Sequence, residues 1–183
     1  MKINRTLKLI FFSLIVLSSI FLAGCMSVKP TASKTDGSLY ETFYLGNRGT
    51  QYFIKPLLFE SEKEELKIDF TFRPSENTDN LVTTNYTITS AKKIEKVDTL
   101  VLKNKTQIVK CTDNKKLYSE IKNSKRVCRF SAKIQLEKLN QLMANPAWSI
   151  QVVTKDTTMD YQASSRTKRS ITTLQEGLFE ALN

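Results

Sequence analysis

The chain has 183 residues, 28 Lys or Arg against 18 Asp or Glu, and no histidine. The missing histidine excludes His-based triads, histidine general bases and His-containing metal sites. Five glycines with no Gly-rich run exclude a phosphate-cradling loop.

The first element is a tripartite N-terminus. Lys2, Arg5 and Lys8 give a positive start without an acid, and Leu9 to Leu22 is apolar except for Ser13, Ser18 and Ser19. Ala23 and Gly24 are small residues placed before Cys25. That order is the order of a secretory signal. The apolar run is shorter than the roughly 20 residues a spanning helix needs, so a removed signal is preferred to a permanent helix. Leu22-Ala23-Gly24-Cys25 resembles the lipobox of bacterial lipoproteins. The resemblance covers the first 25 residues and implies cleavage before Cys25, with a diacylglycerol thioether on its sulfur and an acyl chain such as palmitate on the new amino group. An ordinary signal peptide with a cut near a cysteine is the alternative. Two or more acyl chains hold a protein stably on a membrane surface without any crossing helix. Residues 25–38 then read as the lipidated cysteine and a polar, flexible tether. Met26 stands after the cysteine where an aspartate would influence sorting. The resemblance therefore favours the outer membrane of a Gram-negative cell, facing the periplasm.

Removing residues 1–24 leaves a single domain over 39–183, long enough for a real core. Its positive excess is concentrated: Lys92 to Lys138 holds 14 Lys or Arg against 5 Asp or Glu. Such a stretch suits an anionic partner, whether lipopolysaccharide, phospholipid, a cell-wall polymer or an acidic protein. Lys115, Lys116, Lys125 and Arg126 are its candidate anion-binding residues. A merely solvated face is the alternative. Export and the lack of a recognition motif exclude nucleic acid. Cys111 and Cys128 remain after Cys25 is assigned to lipid, and an exported pair reads as a disulfide. Two buried free thiols are the alternative. The loop it would close, about 18 residues, contributes roughly 3 kcal/mol in the chain-entropy account.

In chain order, Gln51 to Phe59 is apolar and aromatic, and the acidic stretch 60–65 turns it into Leu66–Arg73. In that second segment every even residue is apolar and every odd one polar, the pattern of a strand buried on one face. Asn80 to Thr89, Thr99 to Leu102, Gln107 to Cys111 and Arg126 to Ile134 follow as strands. Cys128 falls on the inward face of the last. Leu136, Leu139, Leu142 and Met143 change to helical spacing, ended by Asn145-Pro146. Trp148 to Val152 and Met159 to Ala163 alternate again, with Trp148 assigned to the core. Ile171, Leu174, Leu178 and Leu182 mark a closing helix, with Thr173 to Glu176 in the form of a capping box. Arg166 to Arg169 is expected in the loop before it. Tyr40, Phe43, Tyr44, Tyr52 and Phe53 read as core, with a partner surface as the alternative.

The expected class is α+β and β-rich: an antiparallel sheet or sandwich with a short helix and a C-terminal helix. Two Ser-x-x-Lys spacings, Ser90 to Lys93 and Ser165 to Lys168, lack the companion motifs of penicillin-binding enzymes. Paired carboxylates suited to glycoside hydrolysis are not brought together by any spacing. The expectation is therefore a non-catalytic interaction or accessory module, without metal or cofactor. It is held to the membrane through Cys25 and docks an envelope protein, with anionic envelope material bound through 92–138 as the alternative.

Overall fold

The period-two segments fold as strands of one sheet. A computed structural model describes residues 38–74 and 80–182. The signal, the lipobox with Cys25 and the tether lie outside the described residues, apart from Ser38. The strands are β1 Tyr40–Tyr44, β2 Thr50–Glu60, β3 Glu65–Phe72, β4 Leu81–Ser90, β5 Thr99–Lys103, β6 Ile108–Cys111, β7 Lys115–Lys122, β8 Lys125–Gln135, β9 Ser149–Val153 and β10 Thr158–Ala163. Helix α1 spans Leu136–Met143 and α2 spans Ser165–Leu174, followed by a π-turn over Gln175–Phe179.

All pairings are antiparallel, in the order β6-β5-β9-β10-β2-β3-β4-β8-β7, with β1 on β2. The sheet is curled, which brings β6 beside β8 although no ladder joins them. This corrects the sandwich expectation. Consecutive strands pair in β1–β2, β2–β3, β3–β4, β5–β6, β7–β8 and β9–β10, the chain changes neighbours after β4, β6 and β8, and accumulated twist bends one sheet around its own core. The two ends of β2 take different neighbours on one edge: Thr50–Ile54 pair with β1, and Phe59 and Glu60 with β10. Between them a bulge puts Lys55 and Pro56 opposite Asp69. Proline has no ladder donor to lose there.

The alternation observed in the sequence decides the inside. Leu66, Ile68 and Phe70, then Tyr86 and Ile88, then Phe130 are fully buried on the inner face. Helix α1 lays Leu139, Leu142 and Met143 on that core, and α2 lays Ile171 and Leu174 on it. Trp148 lies between Phe59 and Phe70, both with ring centroids 6.2 Å away.

Three further points depart from the expectations. Helix α2 starts at Ser165, not at Thr173. Ser164 is its N-cap, accepting from the Thr167 backbone N–H at 3.2 Å, and buried Thr167 donates its hydroxyl to Leu58 O. Arg166 to Arg169 are thus helical. Thr173 sits in the last turn with its hydroxyl on Arg169 O. A serine at the cap and a docked threonine hold the start eight residues upstream of the apparent box.

The Cys111–Cys128 disulfide is not formed: both thiols are free and buried. They do not lie on paired strands. Cys111 ends β6 opposite Leu100, whereas Cys128 lies in β8 opposite Ile88 and Ser119. Burial pushes the Cys111 thiol up to about 11, so it is neutral at ordinary pH. Iodoacetamide is therefore expected to modify the two thiols only after unfolding, and without any reductant. Resistance to alkylation in denaturant, with a mass lower by two hydrogens, would contradict the free pair.

The third correction is an addition. β1 and β7 were not expected as strands. β1 is an aromatic stretch without clean alternation, and β7, KKLYSEIK, is exposed on both faces.

Candidate functional site

The basic stretch is spread over four elements, and that dispersion defines the candidate surface. Lys92, Lys93 and Lys96 occupy the loop from β4 to β5. Lys103, Lys105 and Lys110 belong to the β5–β6 hairpin. Lys115, Lys116, Lys122, Lys125 and Arg126 belong to the β7–β8 hairpin, and Lys133 and Lys138 lie where β8 runs into α1.

The β7–β8 hairpin turns at Asn123 and Ser124, both with positive φ (49° and 61°). This is the two-residue turn whose twist matches paired strands. β7 bonds to β8 and ends the sheet, so among the described residues its other edge is open. The register slips between Lys116 and Tyr118, leaving Leu117 as an extra residue that bends the edge. Leu117, Tyr118 and Ile121 are 47%, 46% and 68% exposed. Exposed large apolar side chains on an open edge are what proteins normally avoid. Among the described residues, six large apolar side chains are exposed, and β7 carries three of them.

The four predicted anion-binding residues all fall on this hairpin but not at one point. Lys115 and Lys116 stand opposite Ser131 and Phe130, while Lys125 and Arg126 stand at the turn. The ends are separated by roughly 15 Å, at about 3.3 Å per residue. They border the exposed apolar residues of β7, which stand on both faces of the strand, Tyr118 opposite Arg129 and Ile121 opposite Arg126, rather than forming a single pocket. Lys116 is also engaged, at 2.9 Å from Glu95.

That ion pair ties the hairpin to the loop before β5. Glu95 also meets Lys93, and Lys96 lies 3.2 Å from Asp98. Beside them is a recess of about 520 Å³, floored by Ile94 and Met159 and rimmed by Lys92, Lys155 and Asp156. Hydrogen bonds from Lys93 and then Lys116 hold the Glu95 carboxyl down at about 2. A depressed carboxyl pKa gives stabilisation that is fully present above the unfolded value and is lost as pH falls through the folded one. The hairpin–loop tie should thus persist to about pH 2. A carboxyl NMR titration of Glu95 is expected to show this low midpoint, moving up in Lys116→Ala. An ordinary midpoint in the unsubstituted protein would show that the tie is not made.

Elsewhere the polar groups serve the fold. Tyr86 donates to Asn114 Oδ1 at 2.9 Å, and Asn114 Nδ2 donates to Cys111 O at 2.8 Å, which fixes the bend from β6 to β7. Tyr161 donates to Glu64 Oε2 at 2.9 Å. Burial pushes both phenols well up, so each stays a donor. Glu64 therefore has a structural partner as well as its place in the acidic turn 60–65. Of the Ser-x-x-Lys pairs, Ser90 donates to Lys92 O at 2.6 Å while Lys93 is held by Glu95. Ser165 and Lys168 open α2. Among the described residues no three His, Cys, Asp or Glu side chains are grouped to hold a metal, and no helix is long and apolar enough to cross a membrane.

What the sequence reading missed is the strip itself. Its signal was Leu117, Tyr118 and Ile121 interleaved with lysines at spacings that suit neither a helix nor one strand face. Comparison with family models, curated proteins and solved structures finds no match to this chain, so the surface has to be interpreted on its own chemistry.

Proposed function

We propose that this chain is a lipid-anchored envelope protein whose folded domain is a non-catalytic docking module. The anchor is Cys25, on the periplasmic face of the outer membrane. The partner is an envelope protein that offers an extended, acidic segment to β7. The observation that carries this reading is the open edge of β7 with Leu117, Tyr118 and Ile121 exposed along it. Edge addition gives affinity through main-chain hydrogen bonds and specificity through alternate side chains. Lys115, Lys116, Lys122, Lys125 and Arg126 outnumber Glu120 on the hairpin, so they select an acidic partner and speed its approach.

The test is a crosslinked pull-down of the anchored protein from its own envelope at low and high salt. Retention of one protein partner at high salt supports the reading, because an apolar strip and backbone pairing are weakly screened. In Ile121→Asp the capture is expected to fall about tenfold, the loss of one well-packed apolar anchor.

A second reading, anionic envelope material bound across 92–138, is favoured by the spread of lysines from the β4–β5 loop to the hairpin. It predicts recovery of lipid or polymer that is lost steeply as salt rises, and that outcome replaces the first reading.

A further inference from the structure

β8 is longer than the strand that covers it. β7 reaches only as far as Ser131, so among the described residues Ala132 to Gln135 have β4 on one side and no ladder partner on the other. β6 approaches that open side but is bonded to β5. The two edges splay around the bend that Asn114 fixes, and a cleft of about 340 Å³ opens between them. That is the lower end of the volumes that hold one small ligand.

Four apolar side chains line the cleft, with Gln135 beside them. Val109 and Ile134 come from the inner face, and Leu81 and Ile108 stand at the mouth, 42% and 62% exposed. These are two of the six exposed large apolar side chains among the described residues. The rim is cationic: Lys110 from β6, Lys133 from β8 and Lys138 from α1. Among the described residues, none of these three is in an ion pair. Three unpaired cations from three elements around one slot give it a positive rim that suits an anionic group.

We propose that this cleft binds a single-chain anionic amphiphile. The alkyl tail lies along Leu81, Ile108, Val109 and Ile134, and the anionic head meets Lys110, Lys133 and Lys138. An inorganic anion leaves the apolar walls wet. A neutral alkyl chain leaves the lysines unpaired. A bilayer surface does not enter a concave slot of this volume. The cleft is separate from the open edge of β7, so it stands or falls independently of the docking reading.

The test uses the full-length protein in nanodiscs of zwitterionic lipid, with dodecanoate carrying a photoactivatable group on its tail and the matched dodecanol. The carboxylate is expected to label peptides bearing Ile108 to Lys110 and Ile134 to Lys138. The alcohol should label them about fivefold less. Reversing Lys110, Lys133 and Lys138 to Glu should cut carboxylate labelling about tenfold, as three exposed charges change sign. Ile108→Ser, at a side chain outside the core, should also reduce it while leaving all three lysines in place. Unlabelled dodecanoate should compete, and an acidic peptide should not. Equal labelling by acid and alcohol, labelling unchanged in the charge-reversed variant, or competition by the acidic peptide alone would overturn the proposal.

Discussion

Trp148→Ala is expected to cost about 4 kcal/mol of unfolding free energy, the range of large aromatic deletions from a core. The melting temperature should fall by about 10 °C for a chain of this size. Trp148 is buried and joins three parts of the molecule. Its ring meets Phe59 of β2 and Phe70 of β3, the second edge-on at 78°. Its Nε1 donates to Leu142 O at 2.6 Å, at the end of α1. Asn104 Nδ2, from the β5–β6 turn, donates to the same carbonyl at 2.8 Å. Alanine therefore leaves a cavity between two strands and weakens the capping of a helix end. Trp148→Phe keeps most of the ring contact and should cost less, about 1–2 kcal/mol, because Asn104 still satisfies Leu142 O. Equilibrium denaturation measures both. A loss below about 1 kcal/mol for the alanine variant would contradict a core centred on this side chain.

The second large effect is on the opposite face of the sheet. Arg129→Ala should cost about 2–4 kcal/mol, most of it from the charge it leaves behind. Asp69 points to the outer face, yet its side chain is 2% exposed. Arg129 NH2 donates to Asp69 Oδ2 at 2.7 Å, and Asn85 Nδ2 donates to Oδ1 at 3.1 Å. Arg129 NH1 donates to Thr87 Oγ1 at 2.9 Å, which fixes the guanidinium across β4. The register makes this possible: Asp69 faces Asn85, and Thr87 faces Arg129. Removing the arginine leaves a buried carboxylate with one neutral donor. Asp69→Asn in the same chain removes the stranded charge and should recover about half of the loss. A double-mutant cycle is expected to show coupling of about 1–3 kcal/mol. Additive effects would mean that the pair contributes nothing jointly. The arginine is a quarter exposed, which keeps the expected cost below that of a fully buried pair.

These two sites also show where the sequence was informative. Alternation in 66–72 and 126–134 placed strands and core correctly, because one face of each is buried and the other wet. The β2–β3 and β5–β6 hairpins followed from short polar turns between such runs. Helix α1 was legible because Leu136, Leu139, Leu142 and Met143 carry the helical period up to Asn145-Pro146. The buried carboxylate was not legible. In sequence Asp69 is one more polar residue on the wet face, and its burial depends on a bulge opposite it and an arginine 60 positions away. The cysteines failed for the same reason. They were paired because an exported chain leaves them over, whereas the chain bends at Asn114 and changes partners between them. β7 was hidden because an edge strand exposed on both faces has no alternation to read. The lysines were counted as one patch, although strand geometry sets them at two ends of a hairpin.

The central claim is that β7 docks a protein partner. It is tested most directly by placing a photocrosslinking amino acid at Tyr118 in the full-length chain and irradiating intact cells. A matched position at Tyr44, 65% exposed on β1, serves as the comparison. The account predicts one discrete protein adduct from position 118, lost in Ile121→Asp, and none from position 44. No adduct from 118, or the same adducts from both positions, would contradict it.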